Sequence, residues 1–176
     1  MKGGTTTIIT ETMEVFPMAG YDGVIDFLES LNDQPIKIFA TVAAMASISR
    51  AAMGVSSCHE PTSAEDALER LRLGFYVMAR EGSIRRDLKS ISRILDNNVS
   101  LRRLILTTDG ISPSDLLESG YMEYPVQKAI DCGFNPVTAI QMATLNVAEH
   151  FGLDLSSGGL RRGKWQIWSL SRTLTP

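Results

Sequence analysis

Apolar residues come in two periods along this chain, and the alternation between them predicts the elements. Thr5 to Thr10 is β-branched throughout and bounded by Gly3-Gly4, which favours a strand. Val24, Phe27, Leu28 and Leu31 recur at helical spacing with Asn32-Asp33 as a stop, and Pro35 to Val42 is the next strand candidate. The small residues and methionines of Ala43 to Gly54 are read as a helix. Val55 to Cys58 then forms a short strand that ends at His59-Glu60 and is broken by Pro61.

Beyond that point the alternation is regular. Thr62-Ser63-Ala64-Glu65 has the form of a capping box, and Ala64, Ala67, Leu68 and Leu71 line one face of the helix it starts. Phe75 to Ala79 is a second buried strand ending at Arg80-Glu81, and Ile84, Leu88, Ile91 and Leu95 give another helical stripe closed by Asn97-Asn98. Leu104 to Leu106 is a third strand ending at Asp109-Gly110. Three helices are expected after it: a short one after Ser112-Pro113, one over Pro125 to Asp131 stopped by Gly133, and one from Asn135-Pro136 to His150. The stripe of the last is Ile140, Ala143, Val147 and Phe151.

The polar clusters Cys58-His59-Glu60, Arg80-Glu81-Gly82-Ser83 and Thr107-Thr108-Asp109 each follow an apolar strand and precede a helix, at intervals of roughly 20–30 residues, the length of one strand–helix unit. This repeat places all three on one edge of a parallel sheet. In open α/β sheets and (β/α)₈ barrels, ligands bind outside that edge.

Composition narrows the classes. With 176 residues, 44% of them hydrophobic, the chain can bury a core and is expected to form one domain over residues 1–153, with 154–176 as a tail. A net charge of −3 offers no broad cationic surface for nucleic acid or anionic lipid. Two cysteines, Cys58 and Cys132, suggest neither a disulfide framework nor a CxxC metal site. No apolar run is long enough to span a bilayer, so a cytoplasmic protein with no membrane partner is expected.

Each candidate residue carries two readings. His59 could ligate a metal or orient a substrate, or cap the next helix from a loop. Glu60 could be a general base, or favour the positive end of that helix. Arg80 and Glu81 are adjacent at a strand end, so their side chains point to opposite faces and one of them can face the site. Ser83 could line the site or cap a helix, and Asp109 could bind metal and shuttle protons or make a turn with its own backbone. His150 is expected to interact with the negative end of its helix. No P-loop, dinucleotide fingerprint or serine-hydrolase elbow is present.

The run Gly54 to Leu68 with its Cys58-His59-Glu60, the run Leu73 to Ser83 with its Arg80-Glu81-Gly82-Ser83, Thr108-Asp109, and Ala139 to Glu149 with its Ala143-Thr144-Leu145-Asn146 together resemble the bacterial adenine deaminase family. The resemblance implies part of an amidohydrolase (β/α)₈ barrel that hydrolyses adenine to hypoxanthine and ammonia, with a divalent metal, manganese or iron, activating water. It implies His59 and Asp109 as metal-site residues, Glu60 and Asp109 as catalytic carboxylates, and Arg80, Glu81 and Ser83 as residues lining the site. Adenine or a related purine would be the partner.

The departures from that pattern are specific. The family's paired His-x-His has no counterpart, and Glu11-Thr12-Met13-Glu14 stands where Asp-Pro-His-Glu is usual. A long stretch that includes the metal-bridging glutamate is missing between Ala46 and Ala52. Cys58 and Gly110 each replace an aspartate, and Ser156 to Pro176 leaves the family pattern. The chain holds two histidines, whereas a catalytic metal site of the zinc type needs at least three protein ligands. A whole barrel takes about 250 residues, and roughly five strands are expected here. Two functions follow: a metal-dependent adenine deaminase, or a truncated member active only with a complementary chain, on one side, and on the other a non-catalytic remnant acting as an interaction module or inactive subunit, which the ligand count favours for this chain alone. Self-association is expected to cover the open sheet edges.

Overall fold

The computed structural model describes residues 4–11, 15–41 and 56–155. The chain divides into two compact units, Thr5–Gly54 and Val55–Pro176.

In the first unit β1 (Thr7–Glu11) and β2 (Lys37–Thr41) pair in parallel, Thr7 opposite Lys37 and Glu11 opposite Thr41, and α1 (Val15–Ser30) connects them. The expected strands and helix are present. The helix begins earlier than its apolar stripe because a second helical segment precedes Gly20, whose φ of 64° forms a kink. The helix expected over Ala43 to Gly54 lies outside the described residues.

In the second unit three parallel strands lie in the order β3 (Ser57–Cys58), β4 (Tyr76–Arg80), β5 (Leu104–Thr107). Helix α2 (Ala64–Arg72) joins the first pair. Its N-cap is Ser63, one residue after the Thr62 of the expected capping box, with its hydroxyl accepting the Asp66 N–H at 3.2 Å; Ala64, Ala67 and Leu68 turn inward, as the sequence predicts. The second connection differs from expectation. Helix α3 covers only Leu88–Ile91 and continues as a 3₁₀ turn over Ser92–Asp96. It cannot start at Ser83 because Gly82 N–H donates to Arg85 O and Glu81 bridges Arg86, so that stretch is already closed as a turn. Ile84 is accordingly 82% exposed, while Leu88, Ile91 and Ile94 are buried.

After β5 come α4 (Pro113–Ser119), α5 (Glu123–Asp131), α6 (Pro136–Ala143) and α7 (Leu145–His150). Ser112 and Asn135 cap α4 and α6 with their side-chain oxygens, each followed by proline. The single helix expected from Asn135 to His150 is broken at Thr144, where φ and ψ are −134° and −80°. The Thr144 hydroxyl donates to Ile140 O at 2.7 Å, closing α6. The break lets Asn146 turn inward, where its amide donates to Leu101 O and Leu104 O at 3.0 and 2.8 Å. The inward positions are therefore Ala139, Met142, Asn146 and Ala148, and Ile140 lies outside.

Among the described residues of the second unit the core is one cluster. Val77 and Ala79 of β4 and Leu104 and Leu106 of β5 meet Ala67, Leu88, Ile91, Ala129, Phe134 and Met142 from the helices. This is parallel strand–helix layering, as the sequence leads one to expect, and it holds three strand ends at one edge.

Candidate active site

Because β3, β4 and β5 run parallel, His59-Glu60, Arg80-Glu81 and Thr108-Asp109 leave the sheet at the same edge. Arg80 is the centre of the cluster. It is 3% exposed, its Nε donates to Asp87 Oδ2 at 2.9 Å, and its Nη1 lies 3.4 Å from both Glu60 Oε2 and Asp109 Oδ2. Glu60 Oε1 lies 3.0 Å from His59 Nε2. His59, Glu60, Arg80 and Asp109 thus form one connected chain of polar contacts.

Glu81 and Ser83 contact other groups. Consecutive strand residues alternate sides, and Glu81 is 2% exposed with Tyr124 Oη donating to its Oε1 at 3.5 Å. Burial pushes its carboxyl pKa up, offset in part by Lys128, the Leu88 N–H, Arg86 and Tyr124. Ser83 Oγ accepts the Ser112 N–H at 2.7 Å, and Ser83 N–H donates to Gly110 O at 3.1 Å. Gly82 passes so close to Thr108 O and Gly110 O that a Cβ there would collide with both. The run Arg80-Glu81-Gly82-Ser83 therefore braces the turn that carries Asp109. Asp109 itself has φ of 45°, a left-handed conformation that aspartate tolerates better than most residues.

Two members of these networks escaped the sequence reading. Asp87 reaches Arg80 because the turn before it folds back, with Asp87 N–H on Arg80 O at 2.9 Å; an acid seven positions after an arginine is no signal by itself. Tyr124 sits in the first turn of α5, where nothing in the local pattern marks it. His150 packs between the rings of Tyr76 and Phe151, 4.5 and 4.4 Å between centroids. Burial lowers its pKa, and it lies in the last turn of α7 as the sequence predicts.

A divalent metal needs several anionic or imidazole ligands converging on one point. Among the described residues no group of three or more His, Cys, Asp or Glu side chains is so placed. The point where Glu60, Asp87 and Asp109 converge is taken by the Arg80 guanidinium. The described residues alone do not fit a resident metal.

Among the described residues no helix is long and apolar enough to cross a membrane.

Comparison with known proteins gives this geometry a family. An adenine deaminase of Moorella thermoacetica is 45% identical over 115 residues, 65% of this chain and 19% of that protein. One of Clostridium botulinum is 46% identical over 114 residues, covering 64% and 19%, and one of Cenarchaeum symbiosum is 46% identical over 112 residues, covering 63% and 18%. The chain thus spans about a fifth of the length of these relatives. The amidohydrolase family profile matches residues 38–165, most of the chain and the whole of the strand-end cluster, and the chain belongs to the amidohydrolase family.

Proposed function

We propose that this chain carries the later strand ends of an adenine deaminase site, which exchanges the amino group of adenine for oxygen and gives hypoxanthine and ammonia. The observation that carries the proposal is the cluster His59, Glu60, Arg80 and Asp109 at one sheet edge, inside the segment that the amidohydrolase profile matches. Replacing an amine by water requires a proton to leave the attacking water and another to reach the departing nitrogen. Glu60 and Asp109 are the carboxylates placed for that transfer, and buried Arg80 holds both of them facing one side. Arg80 lines the site, while Glu81 and Ser83, bonded to Tyr124 and Ser112, support the turn that carries Asp109.

The family resemblance implies a divalent metal, manganese or iron, in a complete centre. His59 and Asp109 are its candidate ligands here, and the remaining ligands must come from other polypeptide, in the same protein or in a complementary chain. The chain by itself is therefore expected to bind no stoichiometric metal and to release no ammonia from adenine. Purification with manganese or iron, followed by metal analysis and an ammonia assay, tests this; turnover by the lone chain would contradict it.

A second reading, a non-catalytic module or inactive subunit, is favoured by one observation: Arg80 already neutralises the cluster's carboxylates. The two readings separate when the missing segments are supplied, since only the first predicts turnover. Both predict self-association that covers the edges of the β3–β5 sheet, and a clean monomer in light scattering would count against it.

A further inference from the structure

Helix α2 packs one face on the core and leaves the other open among the described residues. Ala64, Ala67 and Leu68 turn inward, whereas Glu65, Glu69 and Arg72 are exposed and Leu73, at the helix end, is 68% accessible. Along this outer face lies an open groove of about 350 Å³, lined among the described residues by Glu65, Leu68, Glu69, Arg72 and Leu73. Its apolar part is leucine, and its rim sets two carboxylates against one guanidinium. The ion pair on α2 joins Arg70 to Asp66 and leaves Glu65 and Glu69 unpaired among the described residues.

The chain itself supplies a segment of matching chemistry. Residues 156–176 carry Arg161, Arg162, Lys164 and Arg172 with no carboxylate side chain, and they hold both tryptophans, Trp165 and Trp168, beside Ile167 and Leu170. The geometry puts this segment within reach of the groove. The last described residue, Leu155, follows shortly after His150, whose ring stacks on Tyr76 at 4.5 Å between centroids. Tyr76 in turn starts β4 just past Leu73, and Phe75 N–H donates to Arg70 O at 3.0 Å, so that strand begins against the C-terminal end of α2. From Leu155 to Trp165 an extended chain spans about 33 Å, more than the roughly 14 Å length of α2.

We propose that the outer face of α2 is a docking groove for residues 160–172 of the same chain, with tryptophan on Leu68 and Leu73 and the cations on Glu65 and Glu69. Aromatic residues supply large apolar area with few rotors to order, and the opposite charges fix the direction of approach. The groove uses none of the strand-end residues and does not depend on the deaminase reading.

The test is the intrinsic tryptophan fluorescence of the full chain, which reports on this segment alone because both tryptophans lie in it. The emission is expected to be blue-shifted from that of free tryptophan and shielded from acrylamide. Leu73→Glu should shift it to the red and raise the quenching. Glu69→Lys should do the same to a smaller extent, and the difference from the parent chain should vanish in about 1 M salt, where the screening length falls to about 3 Å. Leu117→Glu, at a position 87% exposed on α4, should change neither. Trypsin cleavage after Arg161, Arg162 and Lys164 reads docking independently and should quicken in Leu73→Glu. Both groove substitutions are at exposed positions, and far-UV circular dichroism checks that each variant folds; Glu69→Lys decides the matter if Leu73→Glu does not. Fully exposed tryptophan emission in the parent chain, or emission and cleavage unchanged in the groove variants that fold, would overturn the proposal. So would an equal change in Leu117→Glu, or a blue shift lost on dilution, which would place the segment on a second copy.

Discussion

Arg80 donates toward three carboxylates from a side chain almost wholly out of solvent, and that arrangement fixes what its replacement should do. Removing one partner of a buried ionic cluster leaves the others uncompensated. Arg80→Met is expected to destabilise the fold by about 3 kcal/mol in chemical denaturation, a central figure for breaking such pairs. The exposed flank of Glu60, 54% accessible at its side chain, keeps the loss from being larger. Arg80→Lys keeps the charge but loses the planar fork, so it should fall between the two. Glu81 makes the opposite kind of prediction. Its carboxyl binds its proton more tightly in the fold than the ordinary value of 4.5, because it is buried. Between that value and its raised one, the folded chain holds more protons than the unfolded chain, so stability falls as pH rises through the window. Glu81→Gln should remove that fall; an identical pH profile for the variant would sink the assignment.

Among the elements, α7 carries two testable contacts. Asn146→Ala leaves the Leu101 and Leu104 carbonyls without their donor and should cost about 1–3 kcal/mol. The pKa of His150, stacked and partly buried, is lowered from 6.5, so just below 6.5 the unfolded chain gains protons that the fold does not. Stability is then full above 6.5 and lost as pH falls through that value toward the lowered one. His150→Phe should flatten the loss in a series of melts between pH 7 and 5. These elements also show what was legible from sequence. The caps Ser112 and Asn135 were readable, and that of α2 to within one residue, because a cap depends on residues only two or three positions away. The break at Thr144 was not, because it serves a partnership between Asn146 and β5 more than forty residues distant. The delayed start of α3 was hidden for the same reason: Ile84 fits the apolar period, and only the Gly82–Arg85 turn pressed against Thr108 and Gly110 excludes it from a helix. The candidate site divides likewise. Strand-end spacing pointed to His59, Glu60, Arg80, Glu81 and Asp109, of which Glu81 bonds to Tyr124 outside the cluster, whereas Asp87 and Tyr124 enter through turns and packing that no local pattern records.

For the whole molecule, the connected cluster belongs to an amidohydrolase segment that covers about a fifth of its relatives. Its guanidinium stands where carboxylates converge, and the described residues hold no three-ligand set. The central claim is that this segment is a working portion of a deaminase site and lacks only what other polypeptide supplies. The most direct measurement is ammonia release from adenine by a chimera in which residues 56–155 of this chain replace the matching segment of the Moorella thermoacetica relative. The account predicts turnover by the chimera, reduced at least about a hundredfold by Asp109→Asn, as expected for loss of a proton-transferring group. A folded, metal-loaded chimera that releases no ammonia, or one indifferent to Asp109→Asn, would contradict it.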